Sequence, residues 1–473
     1  MILKRLTQRL ESVQEYEKTP IPPEKRKGWR SFLGLYAGEH TAGTEFVIGP
    51  LFVAHGVAAT DLVWGLLLGN LLAVLSWAFL CAPIAAKEKI TLYFKLEKIA
   101  GPNVTAIYNL VNGLMFCFLA GSMIAVAATA VGIPFDMAMP QLSDWYPTSI
   151  GWVITVFIVG LITTLIAMLG YEQVSRFANA AAPWMILVFL AAALAVLPEL
   201  GVSGLSDFWT VANESIWTGI PLEGQSKFSF WHVLFFAWFC NMAMHIGMAD
   251  MSILRYAKDW KAGFTSAAGM YVGHYLAWMA SGILYAVFLS KSQNSLEFAP
   301  GPIAYYAAGT AGALCVIIAG WTTANPTIYR AGLAVQAVMP KAKTWKVTLM
   351  VGLVTTTAAM FPALVMKLLD FVALYGLVLM PMGTVVLLDV YLFPRLGWTE
   401  NLAESKGLKF NVAAAITWLA TLAICLSINQ FLGTEVFFLG LPGWFIAAGL
   451  YVAASFFLYR KHHIPSTLSP SAS

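Results

Sequence analysis

Two adjacent hydroxyls, an amide and a proline stand at Thr322, Thr323, Asn325 and Pro326, inside a stretch otherwise apolar enough to cross a membrane. A polar run at that depth is tolerated where it faces protein or a lined cavity, because hydrocarbon satisfies no polar group. The hydroxyls of Thr322 and Thr323, with the carbonyl of Ala319 one turn earlier, are oxygens of the kind a hard cation prefers. The alternative is that both threonines bond back onto their own helix. Asn325 beside a helix-breaking proline favours the lined cavity. A second polar interruption, Gly38-Glu39-His40-Thr41-Ala42-Gly43-Thr44, lies near the start of the chain. Gly38 and Gly43 permit unwinding there, and the freed carbonyls complete a five-oxygen sodium site. Glu39 or His40 is left to touch substrate or carry a proton. Glu45 is a weaker candidate, since in an uninterrupted helix it points away from Glu39. Two interrupted spans far apart in a chain are the pattern of a secondary transporter with a mid-membrane site.

A third constellation is Trp238-Phe239-Cys240-Asn241, followed by His245 and Gly247. An aromatic face beside an amide suits a flat, hydrogen-bonding heterocycle. Asp250 and Arg255 read as a gate or anchor, and His55, His232 and His274 as span-end or packing residues. No nucleotide-binding loop, zinc-protease or hydrolase motif is present.

The elements that must position these residues follow from composition. Of 473 residues, 59% are hydrophobic and only 11% charged, and mean hydropathy is +0.73. A soluble domain carries about a quarter charged residues, so the chain reads as an all-α polytopic membrane protein. The criterion of about 20 apolar residues per span predicts twelve transmembrane helices, over 30–55, 62–86, 105–131, 150–170, 173–198, 229–251, 263–290, 302–338, 345–365, 369–393, 410–431 and 438–459. The eighth is overlong, which implies tilt or overrun. With the N-terminus inside, all but three of the 28 Lys and Arg residues fall in cytoplasmic segments, the exceptions being Lys227, Lys291 and Lys367. That alternation supports a multi-pass protein of the bacterial inner (plasma) membrane with both termini cytoplasmic. Residues 1–14 read as an amphipathic helix on the inner surface, ended by Pro20-Ile21-Pro22-Pro23. No cleavable signal is expected. The five cysteines read as small buried hydrophobes.

Four stretches resemble the nucleobase–cation symporter-1 family, the purine–cytosine permeases and their relatives: Gly69-Asn70-Leu71-Leu72 with Ala86-Lys87, Ala249-Asp250 with Arg255-Tyr256-Ala257-Lys258, Trp321-Thr322-Thr323 through Leu333, and Pro381-Met382-Gly383 through Tyr391. The resemblance implies a leucine-transporter-type fold. Inverted five-helix repeats would cover 30–198 and 229–393, with peripheral helices over 410–459, an N-terminal segment over 1–29 and a tail over 460–473. It implies sodium at Ala319, Thr322 and Thr323, with carbonyls near Gly38 and Thr41. Substrate contacts fall near Phe116, Phe239, Asn241 and Asn325. The sequence departs from the family pattern in the substrate half: the third span lacks a tryptophan, a single amide follows the threonines, and the Glu39-His40 pair is added.

The expectation is a sodium-coupled importer of a nucleobase or similar small nitrogen heterocycle. It has no cofactor beyond the coupling ion, and its partners are a small-molecule substrate, sodium and the lipid bilayer, with no nucleic acid polymer. The oligomeric state is left open. The alternatives are a cation- or proton-coupled importer of an amine or amino acid with Glu39 as counter-ion, and a membrane-embedded enzyme using Glu39 and His40 as an acid–base pair.

Overall fold

The computed structural model describes residues 10–463 except 12, 14, 17, 138–139, 141–143, 148, 292–298 and 367; at 365–366, 368–370 and 460–463 it describes backbone alone. Most of the expected amphipathic segment, the tail beyond 463 and Lys367 lie outside the described residues. Among those described, no strand forms and all five cysteines are free and buried.

Among the described residues, nine helices are long and apolar enough to cross a membrane: Ala59–Glu88, Pro102–Val131, Ile150–Met168, Tyr171–Leu200, Trp260–Lys291, Pro300–Val338, Phe371–Tyr391, Val412–Leu432 and Val436–Tyr459. The other three expected spans take different forms. Residues 345–365 hold the shorter helix Thr344–Ala359. The first span is broken into Arg30–His40 and Glu45–Ala54. The sixth is broken into Phe230–Phe239 and Met242–His245, with Met248 at a positive φ of 62° before Met251–Leu254.

The eighth span differs from the sequence reading, which placed a break at its polar run. The helix continues through Pro326, and its non-helical residues are Ala308 and Gly309. Proline removes one backbone donor, but the hydroxyls around it bond to carbonyls of the same helix: Thr322 and Thr323 to Ala319, and Thr327 to Thr323 at 2.7 Å. The polar run is thus absorbed without unwinding.

The two broken spans pack reciprocally. Glu45–Ala54 lies along Leu276–Lys291, and Phe230–Phe239 lies along Ala59–Ser76. Small residues let the backbones approach in both pairs, as membrane helix interfaces require. A Cβ at Gly49 would lie 2.0 Å from the Ser281 hydroxyl, and one at Gly69 would lie 2.4 Å from the Leu234 carbonyl. The two partner helices also share a π-helical stretch, Trp77–Cys81 in one and Ala268–Tyr275 in the other. Such bulges re-aim side chains and concentrate at functional sites.

Gly49→Leu and Gly69→Leu are each expected to cost about 1–3 kcal/mol or more by overpacking. Size-exclusion profiles and melting temperatures read the loss. Gly449→Leu, where a Cβ meets nothing within 4 Å, is the silent control.

Candidate functional site

The first helix ends because Thr41 leaves the helical region, at φ −95° and ψ 54°, and its hydroxyl donates back to Ala37 O at 2.7 Å. The unwound turn packs on the third span, where a Cβ at Gly43 would lie 2.4 Å from Val126 Cγ1. It also meets the eighth: the Thr323 hydroxyl donates to Glu39 O at 2.9 Å, while Thr322 and Thr323 share Ala319 O at 3.0 and 3.2 Å. Oxygens from two spans therefore converge at one junction, the chemistry a hard cation needs.

Beside this junction lies a buried charge cluster. Arg330 forks onto Glu39, Nη1 to Oε1 at 2.5 Å and Nη2 to Oε2 at 3.0 Å, and donates to Asp250 Oδ1 at 2.7 Å. Asp250 Oδ2 accepts Tyr36 OH at 2.9 Å and the Trp77 indole at 2.7 Å. One guanidinium thus joins the first, second, sixth and eighth spans. A planar fork is suited to two carboxylates, and in a dry core such a pair is retained only when well hydrogen-bonded. With two carboxylates to one guanidinium, the cluster carries an excess negative charge next to the oxygen junction.

On the other side of the break is a cavity of about 60 Å³, room for a few water molecules rather than a heterocycle. Glu39, His40, Thr44, Asn241 and Thr323 border it, together with Glu45, His274 and Trp278. Because the turn interrupts the helix, Glu45 reaches this cavity. Its Oε2 accepts the Trp278 indole N–H, and Oε1 stands 3.9 Å from His274 Nε2. His274 stacks on Trp278 with centroids 4.3 Å apart and meets the His40 ring edge-on at 4.9 Å.

A separate ionic cluster lies where the pre-span segment docks. Arg255 Nη2 reaches Glu15 Oε2 at 3.4 Å, and the same oxygen accepts Tyr256 OH at 2.9 Å and Tyr329 OH at 2.5 Å. Asp250 and Arg255 are therefore not each other's partners. The residues expected to form a gate or anchor divide between two networks.

No protein-family sequence model matches the chain, and no curated protein matches it by sequence. By structure it is similar to Mhp1, a nucleobase-cation-symport-1 family transporter, in a closed conformation with bromovinylhydantoin bound. That match has a TM-score of 0.71 at 14% identity over 94% of this chain and 96% of the other. The inward-facing conformation of Mhp1 gives 0.66 at 14% identity over 93% and 95%. A Na+-coupled sialic acid symporter in a substrate-bound outward-open state gives 0.66 at 15% identity over 97% of each chain. The chain has the fold of a nucleobase-cation-symport-1 transporter. The expected fold class, an all-α polytopic membrane protein of leucine-transporter type, is thereby observed.

Within this fold the residues expected to bind sodium meet at one junction: Ala319, Thr322 and Thr323 converge with the first-span break. The first-span carbonyl that reaches Thr323 belongs to Glu39, one position beyond Gly38. Gly38 itself lies against Ala178, where an added Cβ would be 3.3 Å away. The Thr41 hydroxyl stays on its own helix. Of the residues expected to touch substrate, Glu39, His40 and Asn241 border the cavity, although the Glu39 carboxylate is engaged by Arg330. His40 donates Nδ1 to Tyr36 O at 2.8 Å rather than pairing with Glu39. Phe116 packs edge-on against Tyr375, Phe239 joins Met242, Leu377 and Met380 in a second core cluster, and Asn325 is buried with both amide atoms unpartnered. Sequence reading missed Arg330, His274 and Trp278. Arg330 had counted only toward loop charge, although it lies two turns after Thr323 in the same helix, the spacing that puts both on one face.

Arg330→Met leaves Glu39 and Asp250 buried without their cation and is expected to cost about 3–5 kcal/mol. The readout is the unfolding temperature of the purified protein. Adding Glu39→Gln and Asp250→Asn to the same chain recovers most of the loss if the charge imbalance is its cause.

Proposed function

We propose that the chain is a sodium-coupled importer of a nucleobase or related small nitrogen heterocycle, working by alternating access in a bacterial inner membrane. The observation that carries this reading is the junction at which the Thr323 hydroxyl meets Glu39 O, 2.9 Å apart, beside a buried cluster with excess negative charge. A cation seated there replaces the hydroxyl hydrogen bonds to Glu39 O and Ala319 O with metal–oxygen contacts, the hydroxyls keeping their protons, and offsets the unbalanced carboxylate. Potassium, larger and more weakly held by so few ligands, is a poorer fit.

Coupling follows from the position of the unwound turn. Its Glu39 end contributes to the cation junction, and its Glu45 end borders the cavity. Ordering the turn for one ligand leaves less to order for the other, which lowers the combined cost of binding both. The reciprocal packing of the broken spans interlocks the repeats over 30–198 and 229–393, so the body that moves is the bundle of first and second helices from both repeats rather than either repeat alone. Mhp1 with bromovinylhydantoin and the Na+-coupled sialic acid symporter support a cation-coupled solute carrier of this fold. Because those two solutes differ widely, the heterocycle is argued from the groups that border this chain's cavity, the Trp278 and His274 rings and the Asn241 amide, and at about 60 Å³ that cavity must widen to take a ring. An amine importer with Glu39 as counter-ion draws no support, since Arg330 already occupies that carboxylate.

In liposomes with an inward sodium gradient, the wild-type protein is expected to accumulate labelled cytosine. Thr322→Ala combined with Thr323→Ala abolishes the sodium stimulation while leaving the size-exclusion profile unchanged. Sodium-stimulated uptake that persists in the double variant would overturn the cation site.

A further inference from the structure

We infer that Glu45 is the counter-charge for a flat, positively charged amidinium-type group on the transported solute. This rests on the importer reading and names the substrate class of its cavity. Two buried carboxylates follow the two helix breaks, Glu45 after the first and Asp250 after the sixth, and their settings correspond. Each accepts an indole N–H from the helix packed on its own broken span, Trp278 for Glu45 and Trp77 for Asp250. Each has an imidazole or phenol next to it, His274 at 3.9 Å and Tyr36 at 2.9 Å. The difference lies in the third partner. Asp250 receives the Arg330 guanidinium at 2.7 Å. Glu45 is 2% exposed, and among the described residues no lysine or arginine lies within ion-pair distance of it.

The place of the missing guanidinium is the cavity. A carboxylate in a membrane core without a cation is costly, and such groups face a pathway or a partner. The flanking surfaces fit a planar cation better than a round one. His274 and Trp278 both border the cavity and stack on each other with 15° between their planes, an aromatic pair on whose outer face an amidinium or aminopyridinium can stack. Asn241 borders the same cavity and offers an amide oxygen. Charge balance points the same way. Three carboxylates, Glu39, Asp250 and Glu45, stand around the two breaks, and Arg330 pairs with only the first two. Sodium at the Thr323 junction offsets the excess charge of the Arg330 cluster, which leaves the Glu45 carboxyl to the solute.

The test uses isosteric probes on the purified full-length protein in sodium: benzamidine, which is cationic, and benzamide, which is neutral. Wild-type protein is expected to bind benzamidine about tenfold or more tightly than benzamide, a difference of about 1.4 kcal/mol. Glu45→Gln is expected to bring the two affinities together. Equal affinities in the wild-type chain overturn the inference without any variant, so a misfolded Glu45→Gln does not protect it. A preference that survives in folded Glu45→Gln overturns it as well. Sodium-dependent thermal stabilisation, measured in the same samples without probe, separates the two readings. If sodium stabilises but benzamidine is not preferred, this inference alone falls; if neither ligand stabilises, the importer reading falls with it.

Discussion

The fork of Arg330 onto Glu39 and Asp250 is the interaction on which the rest of this structure depends. It ties the stub of the unwound first span to the inner part of the sixth and to the eighth, and through Trp77 and Tyr36 it fixes the second span to the same point. A broken helix exposes carbonyls that hydrocarbon cannot satisfy. Here the break is held in place by an ion pair with several kcal/mol at stake and by the Thr323 hydroxyl on Glu39 O. The unwound turn is thereby kept as a defined element rather than a frayed end. Its two ends face different chemistry, an oxygen junction on one side and a carboxylate-lined cavity on the other.

Much of the architecture was legible because membrane helices announce themselves by length and hydropathy. The nine long spans all fall on stretches read from the sequence. The first-span break was legible too, since Gly38 and Gly43 bracket a polar run that lipid does not tolerate. The eighth span shows where that logic fails: Thr322, Thr323 and Thr327 satisfy carbonyls on their own helix, so Pro326 is carried in a continuous helix. Polar content alone does not separate a break from a helix patched by hydroxyls. The sixth-span break carries a weaker signal, Asn241 among aromatics, and was read as chemistry rather than as backbone.

Side-chain partners were less legible than spans. Glu39 reads from sequence as a free intramembrane carboxylate because its cation, Arg330, lies 291 positions away. Glu45 reads as turned aside because helical periodicity was carried across a turn that breaks it. The proposed cation half of the site is local, drawn from residues three and four apart on one helix, so Ala319, Thr322 and Thr323 read as one group from their spacing. The cavity half depends on rings from the seventh span, where the π-helical stretch Ala268–Tyr275 carries His274 toward the first, and no spacing rule in the sequence reports that.

The central claim is that the junction of the first and eighth spans holds a sodium ion whose charge the neighbouring carboxylates require. The most direct measurement is the unfolding temperature of the purified protein titrated with sodium at constant ionic strength, with choline and potassium as replacements. A ligand that binds only the folded protein raises its stability in proportion to the logarithm of its concentration once the site fills. The account predicts a saturable binding isotherm for sodium, with a rise in melting temperature that neither replacement ion reproduces. Equal stability in all three salts would contradict it.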